Sequence, residues 1–429
     1  MLYILNRLFK LMTSAIFDAE IVVFFCVSGG FFMLISIAII FLSGLLFGTI
    51  CKKIRLPALI GMIIAGILTG PYGLNILDSS ILNISSELRR IALIIILIRA
   101  GLKLNIADLK KVGRPAILMC FVPACFEMIG MILFAPPLLE LSVLDAAILG
   151  AVICAVSPAV VVPRMIHLMD EQYGTQKGIP QMILAGASVD DVFVIVMFTS
   201  FTGIAQGNDI SWVSFINMPI SILTGIAVGI ISGLLFYLVF RKWNVKPVIQ
   251  VMIIFAVSFF MNWVEGAFAF IPFAGLIAIM SLGTEIKRKS SETSKALSDI
   301  FDKLWIPAEI FLFVLVGASV AIDSLKNAGL VAVILVFSAL LFRMLGVFVC
   351  MLGTKLSFKE KLFCMLAYMP KATVQAAIGG LPLAMGLGCG QTVLTVSVIA
   401  IILTAPIGAF AIDLTYKKLL SEDKNYKTE

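Results

Sequence analysis

Apolar stretches of roughly 20 residues recur along almost the whole chain, each long enough to cross a ~30 Å hydrocarbon core as a helix. Thirteen such spans are predicted, near residues 20–48, 56–77, 89–106, 115–137, 143–163, 178–204, 215–240, 247–262, 266–283, 303–322, 329–352, 360–386 and 390–415. The connecting loops alternate in charge. One set holds Lys52, Lys53 and Arg55, then Lys103, Lys110, Lys111 and Arg114, then Arg164 and Lys177, then Arg241, Lys242 and Lys246. The same side continues through the residues around Lys287–Lys303, Lys355–Lys361 and Lys417–Lys427, so that 24 of 32 basic residues share it. The positive-inside rule then places the N-terminus outside and the C-terminus in the cytoplasm, with a cell-membrane location expected.

Composition agrees: 61% of the 429 residues are hydrophobic and 13% charged, and the mean hydropathy is +1.11. These values describe an all-α polytopic membrane protein with lipid as its main neighbour. The net charge of +7 follows insertion topology and does not imply nucleic acid. Cysteines 26, 51, 120, 125, 154, 350, 364 and 389 lie mainly in apolar segments without metal spacing, and read as small core residues. Met1 to Glu20 lacks a convincing cleavage site and reads as a short interfacial helix. No hydrophilic stretch is long enough for a soluble catalytic domain, and no nucleophile, phosphate loop or metal cluster is visible, so an enzyme is not expected and no cofactor is implied.

Against this apolar background five charged residues stand near mid-span: Glu127, Asp190, Asp191, Arg343 and Lys371. At ~2.5–3.5 kcal/mol each on the lenient insertion scale, they cost ~12–17 kcal/mol if unpaired and dry. They must face one another or water. Pairing Glu127 with Arg343, and placing Lys371 by an aspartate or a helix end, leaves one carboxylate free to bind something mobile. A purely structural buried network is the alternative.

Two spans are broken alike. The fifth contains Ser157-Pro158 and then Pro163; the twelfth contains Met369-Pro-Lys-Ala-Thr373, then Gly379, Gly380 and Pro382. Proline removes a helical donor and clashes with the preceding turn, so both spans are expected to unwind at mid-depth around Pro158, Pro370 and Thr373. Such backbone is tolerated only beside protein or a wet cavity. The breaks lie an odd number of spans apart and so run in opposite directions. That predicts an inverted repeat of spans 1–6 against 8–13, with span 7 as linker.

The chain resembles monovalent cation/proton antiporters, most of all the NHA-type sodium/proton branch. The resemblance is carried by Leu56-Pro-Ala-Leu-Ile-Gly-Met-Ile-Ile-Ala-Gly-Ile-Leu-Thr-Gly-Pro71, Arg99-Ala-Gly-Leu-Lys-Leu104, Ser157-Pro-Ala-Val-Val-Val-Pro163, Asp190-Asp191 and Met369-Pro-Lys-Ala-Thr-Val-Gln-Ala-Ala377. It implies a homodimer with a scaffold from residues 1–106 and 247–322, an ion-transporting core from 113–204 and 329–416, a linker helix at 215–240 and a cytoplasmic tail at 417–429. It also implies that Asp190 and Asp191 carry the cation and the protons, with Glu127, Arg343 and Lys371 as the polar network beside them. Many relatives have an aspartate where this chain has Ser157, whose hydroxyl supplies an oxygen ligand without charge.

A dehydrated Na+ or Li+ wants oxygen ligands, which the carboxylates, Ser157 and unwound carbonyls supply. Adjacent helical residues point about 100° apart, so one aspartate should be the principal ligand; the resemblance favours Asp191. Protons bind the same oxygens and compete. A K+/H+ antiporter, an ion-coupled organic-anion carrier and a channel remain as alternatives. An anion site would centre on cations and helix N-termini, and a channel needs a filter that is not visible. Arg99 either snorkels or sits at the cytoplasmic mouth, His167 is expected in a solvated loop, and Glu265 and Glu309 at the membrane interface.

Overall fold

The computed structural model describes residues 32–54, 56–104, 113–206, 212–267 and 273–422, and every named element among them is an α-helix. The expected interfacial helix at Met1 to Glu20, the start of the first span, Cys26, Arg55, Lys110, Lys111 and the last tail residues lie outside the described residues. The helices are α1 (Phe32–Lys53), α2 (Ala58–Thr69), α3 (Ser79–Asn83), α4 (Ser85–Lys103), α5 (Arg114–Met119), α6 (Val122–Leu139), α7 (Val143–Ile153), α8 (Pro158–Asp170) and α9 (Ile179–Ala205). They continue with α10 (Trp212–Trp243), α11 (Pro247–Ala267), α12 (Gly275–Lys289), α13 (Ser291–Ala318), α14 (Ile322–Cys350), α15 (Phe358–Ala367), α16 (Thr373–Ile378), α17 (Leu381–Ala384) and α18 (Gly390–Leu419).

Each predicted span overlaps one of these helices. Among the described residues, eight helical stretches are long and apolar enough to cross a bilayer on length and composition. The remaining crossings drawn from the sequence fall on short helices such as α2, or on helices with charged ends such as α4 and α12, so helix length alone does not fix the number thirteen. The fourth span is divided where a single helix was expected: Phe121 leaves helical geometry between α5 and α6. Pro123 lacks the amide hydrogen that would serve the Met119 carbonyl in a continuous helix.

Helices α1, α2 and α4 pack with α12 and α13, and α10 lies along α12; α5 to α9 pack among themselves and with α14, α15, α16 and α18. Without a hydrophobic drive between helices in lipid, contact area comes from close backbone approach, which small residues permit. Gly225, Gly229 and Gly233 of α10 line up one turn apart against the backbone at Ala274, which caps α12, and at Ala278 and Leu282 within it. Gly66 of α2 and Gly317 of α13 meet nearly back to back, and a β-carbon on Gly317 would come within 3.1 Å of the Gly66 Cα. The cysteines fit the expectation of core filler: Cys51, Cys120, Cys154, Cys350, Cys364 and Cys389 are buried and Cys125 is half-buried, all as free thiols.

Candidate functional site

The two expected breaks are present. Helix α7 stops at Ile153 and α8 begins at Pro158; α15 stops at Ala367 and α16 begins at Thr373. The unwound segments meet, with the Ser157 amide donating to the Pro370 carbonyl at 2.8 Å. Backbone groups freed by the prolines find side-chain partners, as they must away from water. The Cys154 carbonyl, which a residue other than Pro158 would bond within a helix, accepts from Arg343 Nη1. The Gln375 amide donates to the Val152, Ile153 and Ala155 carbonyls at 3.2, 3.0 and 3.0 Å. The Val156 amide donates to Asp190 Oδ2 at 2.8 Å, and the Lys371 amide to Thr404 Oγ1 at 2.9 Å. The Met119 carbonyl left by Pro123 accepts from the Tyr368 hydroxyl at a long 3.4 Å.

The mid-span charges come together at this crossing. Glu127, Asp190 and Lys371 have no solvent exposure, and Arg343 has 1%. Arg343 Nη1 reaches Glu127 Oε2 at 2.9 Å and Nη2 reaches Asp190 Oδ2 at 2.8 Å, while Nε donates to the Tyr368 carbonyl at 2.7 Å. The guanidinium lies over the Tyr368 ring, 5.2 Å from its centroid. Lys371 Nζ meets the same Glu127 Oε2 at 2.5 Å. The expected Glu127–Arg343 pair therefore exists, but Arg343 is shared with Asp190 and Lys371 pairs with Glu127 instead of an aspartate. Two acids and two bases balance within this cluster.

Asp191 stands apart from that balance. Its Oδ1 is buried without a hydrogen-bond partner, as are the hydroxyls of Ser157 and Thr373. It lines a cavity of about 930 Å³ that also takes in Pro158, Ala159, Gln181, Trp305 and Glu309, and that extends to Lys52, Lys103 and Arg164. Asp190, Ser157 and Thr373 are outside its lining. The roughly 100° turn between adjacent helical positions thus sends Asp190 into the ion-pair cluster and Asp191 into the cavity.

Secondary expectations are adjusted by the structure. Arg99 lines the cavity and is held by Asp302 Oδ1 at 2.6 Å and by the Trp305 ring, so it does not snorkel freely. His167 lies on α8 and not in a loop, 3.3 Å from Glu171 Oε1 and solvent-exposed. Glu265 and Glu309 are half-buried, and Glu309 faces the cavity. Tyr368, Gln375 and Thr404 were not singled out from the sequence. Gln375 carried a signal, being a lone amide in an apolar run beside a break; Thr404 carried none.

A model of the sodium/hydrogen exchanger transmembrane family matches residues 37–418. The chain belongs to the sodium/hydrogen exchanger family. It is 33% identical over 422 residues to sodium/hydrogen exchanger 9B2 of Xenopus tropicalis, covering 93% of this chain and 77% of that protein. The Homo sapiens 9B2 exchanger is likewise 33% identical over 423 residues, covering 92% and 76%. The structure of the sodium proton antiporter MjNhaP1 from Methanocaldococcus jannaschii at pH 8 superposes with a TM-score of 0.78 over 90% of this chain and 99% of that one, at 20% identity, which shows a shared fold. The protein is thus an integral membrane cation/proton antiporter of the monovalent cation:proton antiporter superfamily, a transporter and not an enzyme.

Proposed function

We propose that the protein exchanges Na+ or Li+ for H+ by alternating access, with Asp191 as the principal carboxylate for both ions. The observation that carries this reading is the division of labour in the dyad. Asp190 is anchored through Oδ2 by Arg343 and the Val156 amide and lies outside the cavity lining, whereas Asp191 faces the cavity with its Oδ1 unpartnered. The buried, unpartnered Ser157 hydroxyl at the break serves as a further oxygen ligand.

The cation is cargo, loaded from the cavity. Its far end carries Lys52, Lys103 and Arg164, the cytoplasmic side by the positive-inside rule, so this arrangement is inward-facing, with the N-terminus outside and the C-terminus inside. The helices α5 to α9 and α14 to α18 form the moving core, related internally by an inverted repeat. Helices α1, α2, α4 and α11 to α13 form the scaffold through which a homodimer is held, with α10 as the linker. Loading Asp191 with a cation or a proton neutralises it. The bare carboxylate pays ~2.5–3.5 kcal/mol or more to pass bilayer depth, so the empty core crosses rarely and exchange stays coupled.

Proteoliposomes of the purified protein test the reading. Sodium- or lithium-dependent proton flux is expected from the parent and none from Asp191→Asn, which keeps shape but loses charge. The apparent sodium constant should rise as pH falls, with saturating sodium restoring the rate, because one set of oxygens serves both ions. Full exchange by folded Asp191→Asn refutes the site. A sodium constant that stays flat with pH refutes competition, and potassium as the sole effective cation refutes the assigned cargo.

A further inference from the structure

Arg89 is a charged side chain for which the transport cycle described above has no role. It sits near the start of α4, 4% exposed, with Nε donating to the Ser85 carbonyl at 3.3 Å and Nη1 buried without a partner. Its guanidinium lies over Gly380, in the turn that joins α16 to α17, and a β-carbon on Gly380 would come within 3.0 Å of its Cζ. This is where α4, of the proposed scaffold, packs on α16, which follows the second break. Neither Arg89 nor Gly380 lines the cavity, whereas Lys103 at the other end of α4 does. At 1.5 Å per residue the two lie ~21 Å apart along the helix. Arg89 therefore stands at the end of α4 away from the cavity, the side that the inward-facing reading holds closed.

We propose that Arg89, pressed onto Gly380, sets how readily the outer side of the transport path opens. This rests on the alternating-access reading. A guanidinium buried with an unpaired N–H is costly, and the cost is relieved when the contact parts and water reaches it. The closed outer side thus holds a penalty that opening releases, so Arg89 keeps the outer-open state within reach. Glycine at 380 permits the closure, since any side chain there displaces the guanidinium.

Hydrogen–deuterium exchange over residues 379–387, in purified protein without sodium or lithium, reads the opening independently of ion flux. Arg89→Met keeps the volume and removes the penalty, and is expected to slow exchange there by about tenfold and to lower turnover. Gly380→Ala is expected to speed exchange in the same peptide. Substitutions that merely loosen the packing speed exchange in both variants, which would overturn the proposal, as would no change in Arg89→Met. If Arg89→Met does not fold, Arg89→Lys serves: its smaller, rotatable head should slow exchange less, and faster or parental exchange refutes the role. Failure here with sodium-dependent flux intact in the parent sinks this proposal alone, whereas loss of that flux in the parent sinks the antiport reading.

Discussion

The buried cluster makes a quantitative prediction about Glu127. One of its oxygens, Oε2, holds both Arg343 Nη1 at 2.9 Å and Lys371 Nζ at 2.5 Å. Changing Glu127 to Gln keeps the volume but leaves two cations to Asp190 alone at a fully buried site. Removing one member of such a network costs about 3–5 kcal/mol, because the remaining charge is desolvated and uncompensated. The compensating change is at Lys371. Arg343 is unsuitable, since its removal also strips Asp190 of its charged partner and the Cys154 and Tyr368 carbonyls of their side-chain donor. Lys371→Met in the Glu127→Gln background restores equal numbers of acids and bases and should recover about half or more of the loss. Unfolding free energies of the four proteins, measured by steric trapping in bicelles, give the coupling directly. Losses that add within about 0.5 kcal/mol would show that the two residues do not interact energetically, and the cluster would have to be read as a set of independent sites.

Three further outcomes are expected. Ser157→Ala should raise the apparent sodium constant roughly 5- to 10-fold with unchanged thermal stability, because the hydroxyl has no protein partner to lose; an unaltered constant removes Ser157 from the ligand set. Gly186→Ala places a methyl group on the Tyr368 hydroxyl and should cost about 1–3 kcal/mol, with partial recovery by Tyr368→Phe in the same melting assay. At the N-terminal end of α15, burial pushes the Glu360 carboxyl up, but Lys177 and the Ser357 amide and hydroxyl outweigh it and hold it below its ordinary value. A group depressed on folding stabilises above its ordinary range and loses that contribution as pH falls. Glu360→Gln should therefore melt lower than the parent at pH ~7, and the gap should close below pH ~4.

The sequence by itself determined the membrane class, the approximate span positions and the sites of unwinding. Each follows from local chemistry: apolar length, the missing proline donor, and the cost of charge in hydrocarbon act on the residues that carry them. It also required that the five mid-span charges be paired or wet. Which charge meets which was decided only by tertiary structure, because spacing along α6, α9, α14 and the break before α16 does not fix how those segments face. Thus Lys371 found Glu127, and Arg343 became shared. The same holds for the dyad, whose two carboxylates are chemically identical in the sequence and differ only because α9 turns one toward Arg343 and the other toward a cavity made by distant helices. Nothing local to Arg89 in the sequence points to Gly380, which only the fold lays against it. Local rules set where polar groups cost energy; the packing of remote segments set how that cost is met.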